Sequence, residues 1–206
     1  MTLLAATATV LVVIDVQERL VPAIRQGDLV VWNTRRLIDG AKLFDVPVIV
    51  TEQYPKGLGP TMPELVTALP ENTPVVEKTS FSACLVPKFL DAVYRRESIC
   101  KVLLTGMESH VCVLQTALDL LSLGYEVHLV ADAVGSRFAS DYDIALRRLE
   151  SSGVFLTTVE SVLFQWCRTA DTLQFKTVSR IVREEKWCEV RRRGLNGHAV
   201  AGESEL

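Results

Sequence analysis

The sequence predicts an α/β fold, a three-layer α/β/α sandwich around a six-stranded parallel, Rossmann-like sheet. Three observations predict it. Six short β-branched runs recur along the chain, and longer stretches with helical spacing of their apolar residues separate them. A parallel return needs a crossover with room for a helix, so this alternation implies a sheet covered on both faces. The size agrees: 206 residues at 49% hydrophobic content suffice for one sizeable core and are short for two.

The elements follow in order. TVLVVID (9–15) is a strand; it is too short to span a bilayer and no basic residue precedes Arg19, so it reads as neither anchor nor signal peptide. A helix over 28–45 leads to the strand VPVIVT (46–51). Gly57-Leu-Gly59, flanked by Pro55, Pro60 and Pro63, is a shaped loop over a pocket; it lacks the third glycine of a nucleotide fingerprint. A helix over 62–69, the strand PVVEK (74–78), a helix over 84–96 and the strand CKVLLTG (100–106) come next. The helix over 109–123 carries the stripe Val111, Leu114, Leu118 and Leu121 and stops at Gly124. YEVHLVAD (125–132), a helix over 140–152, VFLTTVE (154–160) and a helix over 171–186 complete the series. Residues 1–186 thus form one domain. Residues 187–206, where RRRGLNGHAVAGESEL loses all periodicity, read as a mobile C-terminal tail with solvated arginines.

A net charge of −3 with interspersed signs gives no basic surface and no reason to expect nucleic acid, and nothing points to a membrane. The five cysteines form no CxxC pair, and an odd count does not suggest a closed disulfide framework. A reducing, cytoplasmic setting and a small-molecule substrate are expected.

In an open parallel sheet, ligands bind beyond the carboxyl ends of the strands. Asp15 ends the first strand, Lys78 ends the third, and the GMES turn after the fourth leads to Cys112. Each has a plain structural alternative: Asp15 as a helix cap, Lys78 as a solvated lysine, Cys112 as a small core residue. Their shared edge favours a site. A thiol one turn into a helix, capped by Ser109, lies near backbone N–H groups that favour thiolate and can bind an oxyanion. A carboxylate beside it can take the proton, and an ammonium can hold the remaining charge.

The motifs VVIDVQ, TEQYPKGLG, EKTSFSAC and LLTGMESHVCVLQTALDLLSLGYEVHLVADAVGSR stand in this order over residues 9 to about 166. With them the chain is identified as a member of the isochorismatase-like cysteine hydrolases, which include nicotinamidases and N-carbamoyl amidases. It most resembles the eukaryotic isochorismatase-domain type. The resemblance implies Asp15 as general base, Lys78 as charge partner and Cys112 as nucleophile. It implies a cis peptide bond between Met107 and Glu108 that turns amides toward substrate, substrate contacts from Gln53 and Phe81, and Gln17 orienting Asp15 from behind. Phe81 is equally readable as a core residue. His110 reads either as a substrate contact or as a solvent-facing residue, while His128 and the other four cysteines read as structural.

Nicotinamidases hold a metal with an Asp and two His after the second strand. Here Thr51, Glu52, Gln53 and Tyr54 stand there, so neither metal nor any other cofactor is expected. Isochorismatases proper usually lack the cysteine, which points away from vinyl-ether cleavage. The resemblance further implies a homo-oligomer, dimer or larger. Two functions remain in view: a metal-independent hydrolase of a small amide, ester or related carbonyl compound, and an oligomeric binding or scaffold protein with an idle site.

Overall fold

The computed structural model describes residues 3–94 and 98–184. Its six strands, β1 (Thr9–Ile14), β2 (Val48–Gln53), β3 (Val75–Lys78), β4 (Lys101–Met107), β5 (Glu126–Gly135) and β6 (Phe155–Thr157), form one sheet in the order β3-β2-β1-β4-β5-β6. All neighbours are parallel. The chain starts at the centre, winds outward to β3, then crosses to β4 and winds the other way. The gap between the ends of β1 and β4 is therefore the topological switch point, where such sheets bind ligands. Burial follows rank: every residue of β1 and β4 is buried, whereas the edge strands β3 and β6 are partly exposed.

Side chains alternate across each strand and build a core on either face. Leu11 and Val13 of β1 join Val48, Val50 and Leu103 on one face, against α1 (Gly27–Leu43), α7 (Val159–Cys167) and α8 (Leu173–Val182). Val10, Val12 and Ile14 join Val102, Leu104 and Val127 on the other, against α4 (Pro87–Tyr94), α5 (Leu114–Ser122) and α6 (Ala139–Ser151). Cys112 belongs to this second core.

The structure corrects several boundaries. The run expected as a strand over 154–160 pairs only through Phe155–Thr157, and Thr158 then caps a helix that the sequence analysis did not place. The Thr158 side chain accepts the Ser161 N–H, and Val159, Val162, Leu163, Trp166 and Cys167 turn inward at helical spacing. The β-branched composition of 154–160 suggested strand; the cap overrides it. The loop over 55–60 contains a single turn, α2 (Pro55–Leu58), and the helix expected over 62–69 is one turn, α3 (Pro63–Val66). The helix expected over 84–96 starts at Pro87, which suits a first helical position. The last helix is shorter than 171–186, and residues 185–206, including the tail, lie outside the described residues. Gly124, at φ 89°, ends α5 as expected.

Candidate active site

The register of the sheet assembles the polar groups. Ile14 of β1 lies beside Thr51 of β2, and Gln53 of β2 lies beside Lys78 of β3. Thr51 and Gln53, two residues apart, share a face of their strand. Asp15, just past β1 at φ 52°, sends one carboxylate oxygen to the Thr51 hydroxyl (2.6 Å) and the other to Lys78 Nζ (2.7 Å). Both side chains of this ion pair are shut off from water. Lys78 Nζ also donates to Gln53 Oε1 at 2.7 Å and faces the carbonyls of Phe81 at 3.2 Å and Ser80 at 3.4 Å.

Cys112 is only 6% exposed, and its thiol lies close enough to Asp15 and Lys78 for both charges to act on it. The acid, amine and thiol expected at one edge therefore meet at the switch point. Burial pushes the thiol up to about 12; the Asp15 charge adds to the rise and Lys78 opposes it. This corrects the expectation of a thiol acidified by a helix start. Burial raises Cys84 to about 12 as well, so acidity does not set the two apart. The surroundings do: the Cys84 thiol donates to the Thr116 carbonyl and feels the Asp119 charge, with no ammonium among the described residues to oppose it.

The element carrying Cys112 opens as a wide π-turn, Ser109–Val113, before α5 begins. The Glu108 carbonyl accepts the N–H groups of Val111 (3.0 Å) and Val113 (3.3 Å). The Met107–Glu108 peptide bond is cis, as the resemblance implied. Ser109 is no cap: the first-turn cap position is Glu108, and the Ser109 hydroxyl is buried without a hydrogen-bond partner among the described residues. The loop after β5 braces the turn. Glu108 Oε2 accepts from the Arg137 backbone (3.0 Å) and Nε (3.2 Å), and His110 Nδ1 meets Ser136 Oγ at 3.0 Å while Nε2 lies 3.8 Å from Asp141.

Other expected contacts fall differently. Gln17 meets Asp15 only through the backbone, its N–H donating to the Asp15 carbonyl at 2.9 Å; its side-chain amide binds both backbone groups of Gln53 (2.8 and 3.1 Å) and the Gly59 carbonyl (2.6 Å), tying β2 to the loop above it. Thr51, which the sequence analysis did not single out as a partner, orients Asp15 instead. Its signal was the strand register, which sequence does not give. The Phe81 ring is 52% exposed, which excludes a core role, and its carbonyl serves Lys78. Glu52 binds Thr61 through the backbone and hydroxyl, each at 2.7 Å. No three His, Cys, Asp or Glu side chains group as metal ligands among the described residues. A separate cavity of about 350 Å³ opens between Arg25, Asp132, Phe138 and Tyr142 and is lined by none of Asp15, Lys78 and Cys112.

Known proteins share this fold. The Isochorismatase domain family matches residues 9–161. The chain is 42% identical over 177 residues to isochorismatase domain-containing protein 2A of Mus musculus, covering 86% of this chain and 84% of that one. It is 42% identical over 169 residues to isochorismatase domain-containing protein 1 of Danio rerio, covering 82% of this chain but only 59% of that longer protein. A solved structure from Caenorhabditis elegans, described as the MAR1 ribonuclease, superposes with a TM-score of 0.84 at 37% identity over 100% of both chains. With the family spanning nearly the whole described sheet, this chain belongs to the isochorismatase-domain family.

Proposed function

We propose that the protein is a metal-independent cysteine hydrolase that cleaves a small amide, ester or related carbonyl compound through a Cys112 thioester. The observation that carries the proposal is the buried Asp15–Lys78 pair set against the Cys112 thiol. With Asp15 ionised, losing the thiol proton to water would leave two adjacent negative charges. Passing it to Asp15 leaves thiolate beside ammonium and a neutral acid, so the net charge of the site is unchanged. The sulfur forms a bond to the substrate carbonyl carbon, and neutral Asp15 returns the proton to the departing amine or alcohol as the C–N or C–O bond breaks. Water then attacks the thioester, giving one proton to Asp15; the C–S bond breaks and that proton returns to the thiol. Lys78 holds negative charge throughout.

The low exposure of Cys112 favours a small substrate. The C. elegans relative's description makes RNA a second substrate to try, but a net charge of −3 and a nearly covered thiol speak against a polynucleotide. We place the protein in the cytoplasm and expect a homo-oligomer; Leu85, Phe138, Ile144 and Leu173 are 56% to 90% exposed and offer apolar surface for assembly. No helix among the described residues is long and apolar enough to cross a membrane.

The test is a screen of small amides and esters with RNA as a further arm, read by turnover and by intact mass for an acyl adduct. An adduct on Cys112, lost in Cys112→Ala with folding retained, is expected. Turnover by Cys112→Ala at the wild-type rate would reject the nucleophile, and the absence of any turnover or adduct would favour the idle scaffold.

A further inference from the structure

We propose that Gln53 is a positioning residue whose amide holds the Lys78 ammonium against Asp15 and Cys112, and that it does not bind substrate. The inference rests on the hydrolase reading above. An ammonium has three N–H donors and no acceptor. Here those donors face Asp15 Oδ2, Gln53 Oε1 and the Phe81 carbonyl, with the Ser80 carbonyl at the limit of range. With the Cys112 thiol beside it as well, Lys78 has more acceptors in reach than donors and none to spare for a substrate carboxylate.

Gln53 is equally committed. Its Nε2 donates to the Thr79 carbonyl at 2.9 Å, so the amide is oriented from both ends: nitrogen toward a carbonyl and oxygen toward an ammonium. Its backbone N–H and carbonyl are held by Gln17, and its strand partner in the register is Lys78 itself. A side chain fixed at both ends and along its backbone does not reorient to meet a ligand without breaking a charge-assisted hydrogen bond. A neutral acceptor also suits the position. It steadies the ammonium without adding a negative charge that would compete with the thiolate forming at Cys112.

The experiment follows Cys112 alkylation by iodoacetamide against pH, with each cysteine resolved by mass spectrometry, in wild type, Gln53→Met and Gln53→Glu. No substrate is present, so a role in substrate contact would leave the profiles unchanged, and a purely structural role would lower the melting temperature without moving them. Gln53→Met leaves a buried ammonium N–H unpaired and is expected to slow alkylation at neutral pH about tenfold. Gln53→Glu keeps an acceptor but offsets the Lys78 charge, and is expected to move the profile up by about one pH unit, with the rate recovering at higher pH. If wild-type Cys112 reacts ahead of Cys84 and both variant profiles overlay it, the assignment of Gln53 is overturned while the hydrolase reading stands. If wild-type Cys112 reacts no faster than Cys84, the hydrolase reading falls and the assignment with it.

Discussion

At the scale of single residues, a buried charge pair needs each remaining oxygen and proton matched, and here the matching comes from β2. Thr51 gives the Asp15 carboxylate a second hydrogen bond, at 2.6 Å, beside a pair that bulk solvent does not reach. Thr51→Val keeps the shape and removes the hydroxyl, so chemical denaturation should show a loss of about 1.5–3 kcal/mol, the range for hydrogen bonds to charged groups. The same variant should slow acylation, because the carboxylate loses the contact that aims it. Asp15→Asn should retain the fold and slow acylation by roughly 10²- to 10⁴-fold, measured by single-turnover mass spectrometry. An unchanged rate would reduce Asp15 to a structural residue. The common edge of Asp15, Lys78 and Cys112 was legible in the sequence because the first two stand at strand ends and the third in the turn that follows β4, and strand ends in a parallel sheet share an edge. The partners of Gln17, Gln53 and Thr51 were not, because they depend on which residues lie side by side in neighbouring strands, and pattern alone leaves that register open.

Among the elements, β4 leads directly into the turn that carries Cys112. Its register with β5 shifts between Leu104 and Gly106, and Gly106 sits at φ 117° directly against the end of β1. A Cβ there would lie 2.0 Å from the Ile14 carbonyl oxygen. Gly106→Ala should therefore destabilise the protein by about 3 kcal/mol or more, through a backbone conformation unsuited to alanine and a backbone clash, as thermal or urea unfolding would report. Strand β5 carries a different dependence. His128 pairs with Glu126 at 2.7 Å, Lys101 bonds the same Glu126 oxygen, and the imidazole lies 5.1 Å from the Phe155 ring. Burial holds its pKa below the ordinary value of 6.5 despite the raising effect of Glu126. The folded state thus prefers neutral His128. The stability this gives is complete above the unfolded-state pKa and declines as pH falls through the lower folded-state value. Urea midpoints measured from about pH 7.5 to 5 should fall more steeply in wild type than in His128→Phe; parallel slopes would remove His128 as the cause. Strand positions were legible from β-branched runs, whereas α7 was missed because Thr158 and Val159 extend such a run while serving as the cap and first turn of a helix.

For the whole molecule, the alternation of strands and helices was enough to read the α/β/α layering and the parallel sheet, since crossover geometry leaves few alternatives. Assembly is a matter of surface, which periodicity does not specify. Light scattering at micromolar concentration should give a mass of at least two chains, and a sharp monomer peak would refute the homo-oligomer. The doubly wound sheet also places its working charges in the interior. The ion pair of Arg35 with Glu184 lies where dissolved ions reach it, whereas neither side chain of the Asp15–Lys78 pair is exposed. Mobile salt shortens the reach of exposed charges from about 30 Å at 0.01 M to about 3 Å at 1 M but barely penetrates a dry interior. On the proposed route, proton exchange between Cys112 and Asp15 moves no net charge into or out of the site, so the acylation rate with an uncharged substrate should stay nearly level across that range of ionic strength.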